Sequence, residues 1–241
     1  MDVYSWGGAI SSRDFYTAGR AFMERWNRLN PRMPPWTWVP SPKQHLGLAP
    51  SHQINGYLVL EKLCLPDLTH KDGPSQENLD ELTSQSRKEE FTFSEEEEFV
   101  DNATLVESSN SVGGVHSYDF HIVYSASYRV PVLYFRAYLT DGQPLELDEI
   151  EKDLPSSSAK VLVESKWTFI TQEEHPYLNR PWYKLHPCGT SEWMKLLFQS
   201  DTSLAKHGVS IELYLFSWLS VVGQVFGIRI PPELFNHQDH L

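Results

Sequence analysis

Residues 66 to 117 hold thirteen Asp and Glu against three Lys and Arg, which is ten of the twelve net negative charges of this 241-residue chain. The stretch contains Lys88-Glu89-Glu90, the run Glu95 to Glu98, many Ser and Asn, and few sustained apolar periods. Such a composition buries too little apolar surface to offset the entropy of ordering the backbone. It reads as a mobile acidic insertion, with a solvated loop as its plain role and docking of a basic partner surface as the sharper one. Any core must then be assembled from the two flanks, whose combined charge is only −2. With 40% hydrophobic residues overall, the flanks suit one packed domain rather than two.

Several classes drop out early. The N-terminus lacks a basic start followed by a long apolar segment, so neither a secretory signal nor a transit peptide is expected. The most apolar region, Leu213 to Val222, is too short to span a bilayer. Cys64 and Cys188 are the two cysteines, enough for one bridge at most, and the expected setting is a reducing cytoplasm with free thiols. No basic patch is interleaved with aromatics, so nucleic acid is not an expected partner.

The flanks can be read element by element. Ser11 and Asp14 have capping-box spacing, and Phe15, Ala18, Phe22, Trp26 and Leu29 fall on one helical face that Asn30-Pro31 ends. Residues 31 to 55, rich in proline and holding Trp36 and Trp38, read as an extended connector packed against another part of the chain. Tyr57 to Leu63 reads as a strand with Cys64 at its end, where a cysteine without an activating neighbour is expected to be a small buried hydrophobe. Tyr118 to Tyr128 alternates like a strand, with Phe120, Ile122, Tyr124, Ala126 and Tyr128 on one side. Pro131 interrupts, and Val132 to Leu139 resumes. Asp141-Gly142 marks a turn before a short helix over Leu145 to Leu154, and Ser156 to Ser158 read as a linker. Val161 to Ile170 reads as extended, and from there to Cys188 the chain reads as an irregular, site-forming loop. Ile211, Leu215, Trp218, Val222 and Val225 define a last helix, closed by Pro231-Pro232. The order implies an α+β domain with an antiparallel sheet.

His186-Pro187-Cys188-Gly189-Thr190 carries the chemistry. Proline fixes the approach to Cys188, Gly189 removes a side chain beside it, and Thr190 or Ser191 is placed to cap a helix over Trp193, Met194, Leu196 and Leu197. A sulfur just before a helix N-terminus sees the positive end of the dipole, which favours thiolate. Metal binding is disfavoured, because paired ligands such as Cys-x-x-Cys are absent and the histidines are scattered singly. A cysteine hydrolase needs a base histidine, and His186, two residues away across a rigid proline, is awkward in that role. Acyl carriage as a thioester needs no base at the sulfur, only a donor for the oxyanion, for which Asn179 and His186 are the upstream candidates.

The residues Gly56-Tyr57-Leu58-Val59-Leu60-Glu61, Tyr124-Ser125-Ala126-Ser127-Tyr128-Arg129-Val130-Pro131-Val132-Leu133-Tyr134-Phe135, Asp141-Gly142, His186-Pro187-Cys188-Gly189-Thr190 and Leu219-Ser220-Val221-Val222-Gly223 follow one another in this order. In that order the chain resembles the ubiquitin-conjugating-like enzymes of autophagy, the autophagy-related protein ten family, over most of its length outside the acidic insertion. The resemblance implies a single conjugating-enzyme-like domain over residues 1 to 241, with an antiparallel sheet flanked by helices and interrupted by the insertion at 66 to 117. It carries the family's catalytic cysteine onto Cys188. That thiol would receive the modifier autophagy-related protein twelve from the activating enzyme, autophagy-related protein seven. It would then pass the modifier to a lysine of the target, autophagy-related protein five, without cofactor or metal.

Ordinary ubiquitin-conjugating enzymes place His-Pro-Asn shortly before the cysteine. Here His175-Pro176-Tyr177-Leu178-Asn179 ends nine residues before Cys188, and a turn is the favoured reading of Asn179. The sister enzyme that transfers a modifier to phosphatidylethanolamine also has His-Pro-Cys. Its cysteine is typically followed by a basic residue and histidine, whereas Gly189-Thr190-Ser191-Glu192-Trp193 stands here, so a protein target is expected over a lipid. An inactive conjugating-fold binding module is the alternative from another class.

Overall fold

The computed structural model describes residues 5–41, 55–65, 116–158, 169–200 and 209–235. Nearly all of the acidic insertion, and residues 161–168 of the expected extended segment, lie outside them. The described residues form helix α1 (Ser12–Leu29), strands β1 (Thr37–Pro40), β2 (Gly56–Cys64), β3 (Ser117–Ser125) and β4 (Val130–Tyr138), and helix α2 (Leu147–Asp153). Strands β5 (Ile170–Glu174) and β6 (Pro181–Leu185) and helices α3 (Thr190–Ser200) and α4 (Ile211–Val222) follow, and two short 3-10 turns end the described chain. The strands form one antiparallel sheet in the order β1-β2-β3-β4-β6-β5.

α1 begins where its capping box predicts. The Asp14 amide donates to the Ser11 hydroxyl at 3.1 Å, and the Ser11 amide donates back to the Asp14 carboxylate at 3.1 Å. Phe15, Ala18, Phe22 and Trp26 are buried as expected, but Leu29 is 44% exposed because the last turn runs past the edge of the core. The proline-rich connector is more regular than its composition suggests, since Thr37–Pro40 pairs with β2 as an edge strand. Asn27 docks it on α1, its side-chain amide donating to the Trp36 carbonyl at 2.9 Å while its oxygen accepts the Trp36 N–H at 2.9 Å. Trp36 is thereby buried.

Cys64 is exposed rather than buried. Leu58 and Leu60 face the helices, and simple alternation would send Lys62 and Cys64 the same way. Instead the register with β3 slips between Leu60 and Leu63, with Lys62 in the left-handed region at φ 58° and its amide held by the Asp119 carboxylate at 2.9 Å. One extra residue inverts the parity, so Leu63 takes the core position and Cys64 points outward.

β3 ends at Ser125, so Ala126 and Tyr128 belong to the β3–β4 turn and not to the strand. Pro131 lies within β4, opposite Tyr124. It is tolerated there because β6 pairs with β4 at Tyr134 and Phe135, so a proline at 131 withholds no bond from that neighbour. The Asp141-Gly142 turn and the following helix form as read, Gly142 at φ 87°. Residues 156 to 158 are helical, not a linker.

One face of the sheet, including Leu58, Phe120, Ile122, Leu133 and Phe135, packs on α1, α3 and α4 as the main core. The other carries a smaller cluster of Tyr57, Val59, Val123, Val132, Tyr134 and Trp182, covered by Tyr177 and Leu178 from the β5–β6 connection. No helix among the described residues is long and apolar enough to cross a membrane.

Candidate active site

Cys188 sits in the connection from β6 to α3, with its residue exposed. Pro187 to Thr190 is a reverse turn closed by the Thr190 amide donating to the Pro187 carbonyl at 3.2 Å, with Gly189 third at φ 72°. A turn with a left-handed third residue is of the second type, in which the second residue, here the exposed Cys188, is extended. α3 then starts at once, since the Gly189 carbonyl accepts the Trp193 amide at 3.0 Å. Gly189 therefore occupies the cap position that Thr190 or Ser191 was expected to fill. Thr190 is buried, and the Ser191 hydroxyl donates to the Glu192 carboxylate at 3.0 Å.

Nothing lies within 4 Å of a Cβ built on Gly189, so glycine is required there by the backbone and not by space. Gly189→Ala is expected to cost about 1 kcal/mol, and Gly189→Asn less, because Asn tolerates the left-handed region. Thermal denaturation of the two variants checks the order.

His186 holds the other side of the turn. Its Nδ1 accepts the Cys188 amide at 3.2 Å, its own amide donates to the Phe169 carbonyl at 2.9 Å, and its ring meets that of Tyr128 edge-on at 6.0 Å. An accepting Nδ1 requires the tautomer with hydrogen on Nε2, so the imidazole supports the backbone of Cys188. Tyr128, 48% exposed, forms a wall that alternation alone assigned to a strand face. Its placement depends on the β3–β4 turn, in which Arg129 adopts φ 55° and its amide donates to the Ser125 carbonyl at 2.7 Å.

Asn179 is elsewhere. The irregular loop expected before Cys188 is the β5–β6 hairpin, and Asn179 lies in its connection at φ 50°, its amide donating to the His175 carbonyl at 3.2 Å. Strand β6 separates it from Cys188, and four steps of about 3.3 Å already exceed the reach of a side chain. Asn179 is a turn residue, and of the two upstream polar candidates only His186 stands beside the cysteine.

His175 makes a different contact that the sequence did not suggest. Buried on the outer sheet face, its Nε2 lies 3.0 Å from Nδ1 of buried His121, and its own Nδ1 accepts the Tyr177 amide at 3.3 Å. The chain of acceptors makes His175 the donor to His121. Burial, then the neighbouring His175 and Arg180, lowers His121 from 6.5 to about 3; burial, then Arg180, lowers His175 to about 4. Both are neutral when folded and titrate near 6.5 when unfolded. Stability is therefore complete above about pH 6.5 and falls as the pH drops toward 4, each histidine contributing up to ~1.4 kcal/mol per pH unit. Urea denaturation between pH 7.5 and 5 is expected to show this acid limb, with a smaller slope in His175→Gln.

Among the described residues no group of three or more His, Cys, Asp or Glu is arranged to hold a metal ion. What the described residues place around Cys188 is a turn, a histidine supporting its backbone and a helix starting behind it.

Comparison with known proteins adds a lineage to this geometry. Residues 14–233 match the family described as autophagocytosis associated protein, active-site domain. The ubiquitin-like-conjugating enzyme ATG10 of Arabidopsis thaliana is 51% identical over 229 residues, 95% of this chain and 96% of that protein. The human protein of the same name is 39% identical over 132 residues, 55% of this chain and 58% of its own length. Among solved structures, the crystal structure of the autophagic E2 Atg10 aligns with 47% of this chain and 66% of that one, at 22% identity and a TM-score of 0.30.

Proposed function

We propose, for a chain that belongs to the autophagocytosis-associated active-site-domain family and within it to the ATG10 ubiquitin-like-conjugating enzymes, that Cys188 carries the modifier as a thioester. The observation that carries the reading is an exposed thiol in the turn that launches α3. Loading is an exchange: the Cys188 sulfur attacks the thioester carbonyl of the modifier's C-terminal glycine, a new C–S bond forms, and the activating enzyme's thiol leaves with the proton. Transfer repeats the attack with a lysine amine of the target. An isopeptide bond forms, the amine loses a proton, and the Cys188 thiol is regenerated.

Neither step needs a resident base to activate the sulfur, because the incoming acyl group is already activated. That suits a site whose adjacent imidazole is engaged with the Cys188 backbone. By the resemblance carried in the sequence, the modifier is autophagy-related protein twelve, the activating enzyme autophagy-related protein seven and the target autophagy-related protein five. The compartment is the cytoplasm, where ATP and a reducing poise are both available. The acidic insertion at 66–117 is proposed as an accessory to a single domain. Deleting residues 70 to 112 is expected to leave thioester formation intact while weakening salt-sensitive partner capture.

The test is incubation with activating enzyme, modifier and ATP. An adduct that disappears on reduction is expected, and Cys188→Ser is expected to trap an ester that survives it. An adduct that forms equally in Cys188→Ala would overturn the assignment.

A further inference from the structure

Residues 5 to 10 join the helix that follows the Cys188 turn to the β3–β4 turn whose Tyr128 meets His186. On one side, the Trp6 ring packs edge-on against Phe198 of α3 at 5.2 Å and Tyr214 of α4 at 5.9 Å. On the other, the Ile10 amide donates to the Arg129 carbonyl at 2.9 Å, and the Ile10 carbonyl accepts the Tyr124 hydroxyl at 3.0 Å. Arg129 follows Tyr128, whose ring meets His186.

Between these anchors lies Gly8, buried, with φ 79° and its carbonyl accepting the hydroxyl of buried Tyr214 at 2.9 Å. A Cβ on Gly8 would fall 1.7 Å from the Ser191 carbonyl oxygen and 2.6 Å from its carbon. Ser191 is the second residue of α3, three positions after Cys188. The atoms such a Cβ would strike all belong to the Ser191 backbone, so no side chain can swing aside to relieve the collision. The first turn of α3 can lie where it does only because residue 8 has no side chain.

We propose that Gly8 is a positioning residue for the conjugation reaction. The strap from Trp6 to Ile10 sets the first turn of α3 against the β3–β4 turn, and through it the direction of the Cys188 sulfur. Ser191 and Thr190 transmit the placement, since the Thr190 amide closes the Cys188 turn. The inference rests on the reading of Cys188 as the acyl carrier, and its test separates the two.

The experiment compares Gly8→Ala with Gly142→Ala in the full chain. Gly142 has a similar backbone at φ 87° but nothing within 4 Å of its Cβ, so it reports backbone strain without the collision. Two quantities are read: the rate of thioester loading by activating enzyme, modifier and ATP, and the ratio of Cys188 to Cys64 alkylation by iodoacetamide, located by mass spectrometry. Cys64 is the internal reference, exposed at the end of β2.

Gly8→Ala is expected to slow loading at least tenfold and to change the alkylation ratio at least threefold, while Gly142→Ala alters neither by more than twofold. If Gly8→Ala does not fold, Tyr214→Phe decides, because it removes the anchor of the Gly8 carbonyl without adding an atom; a threefold change in the ratio supports the proposal. An unchanged ratio in the folded Gly8 variant, or in Tyr214→Phe where that variant decides, overturns it. So does a changed ratio with loading at the wild-type rate. Failure of the wild-type chain to load would instead strike the acyl-carrier reading, and the alkylation ratio would still report on positioning.

Discussion

Cys188→Ala is expected to lower conjugation of the modifier to its target to the background of the uncatalysed mixture, and Cys64→Ser is expected to leave it unchanged. Both thiols are exposed, so exposure alone does not distinguish them. What differs is the backbone beneath each. Cys64 ends a strand opposite Ser117, with its sulfur directed away from the core by a bulge two residues earlier. Cys188 stands in a turn whose Thr190 amide is held by the Pro187 carbonyl and whose Cys188 amide is held by His186 Nδ1, directly ahead of a helix that the Gly189 carbonyl opens. Holding a nucleophile in one orientation lowers the entropic part of the barrier, which for well-oriented groups amounts to several powers of ten in rate. Removing the sulfur removes the covalent route altogether. The measurement is conjugate formed per enzyme in a gel assay, with Cys64→Ser run alongside.

The second large effect concerns the core that supports this turn. Phe22 is fully buried and touches three other rings, with centroids 5.7 Å from Trp26, 5.6 Å from Trp36 and 5.0 Å from Phe216. It joins α1, the connector and α4, so truncation leaves a cavity that three separate elements would have to collapse to fill. Phe22→Ala is expected to cost about 3–5 kcal/mol, a large part of the ~5–15 kcal/mol that keeps a domain folded. The urea midpoint is expected to fall with little change in slope. Leu29→Ala, on the same helix but 44% exposed, is expected to stay within about 0.5 kcal/mol of wild type. Equal losses for both would mean that α1 does not pack as described.

How much of this was legible beforehand follows from the range of the interactions. Ser11 with Asp14, and the spacing of Phe15, Ala18, Phe22 and Trp26, are local patterns and translate directly into α1. The glycine after Cys188 and the apolar periodicity beyond it likewise announce a turn and a helix. Edge strand β1 was hidden because four residues between prolines are too few to display a period. The β5–β6 hairpin was hidden because β5 buries Ile170 while its last three residues are exposed, leaving no alternation to read.

The exposure of Cys64 departs from the expected burial because a bulge changes the parity of a strand, and nothing in Glu61-Lys62-Leu63 signals that Lys62 adopts a left-handed backbone. The His121–His175 pair and the contact of Gly8 with Ser191 join residues 54 and 183 positions apart, so they arise only when the sheet and helices close. At the candidate site, Cys188 and the two upstream polar residues Asn179 and His186 were legible as an expected thiol and two expected oxyanion donors; the fold sets Asn179 a strand away from Cys188 and His186 only a proline away.

The most direct measurement of the central claim is to map the linkage. After incubation with activating enzyme, modifier and ATP, the adduct is digested without reductant and its attachment site is read by mass spectrometry. The expected result is the modifier's C-terminal glycine on Cys188 and none on Cys64, released by thiol reagent. A C-terminal glycine found on Cys64 or on a lysine of this chain, with Cys188 unmodified throughout, would contradict it.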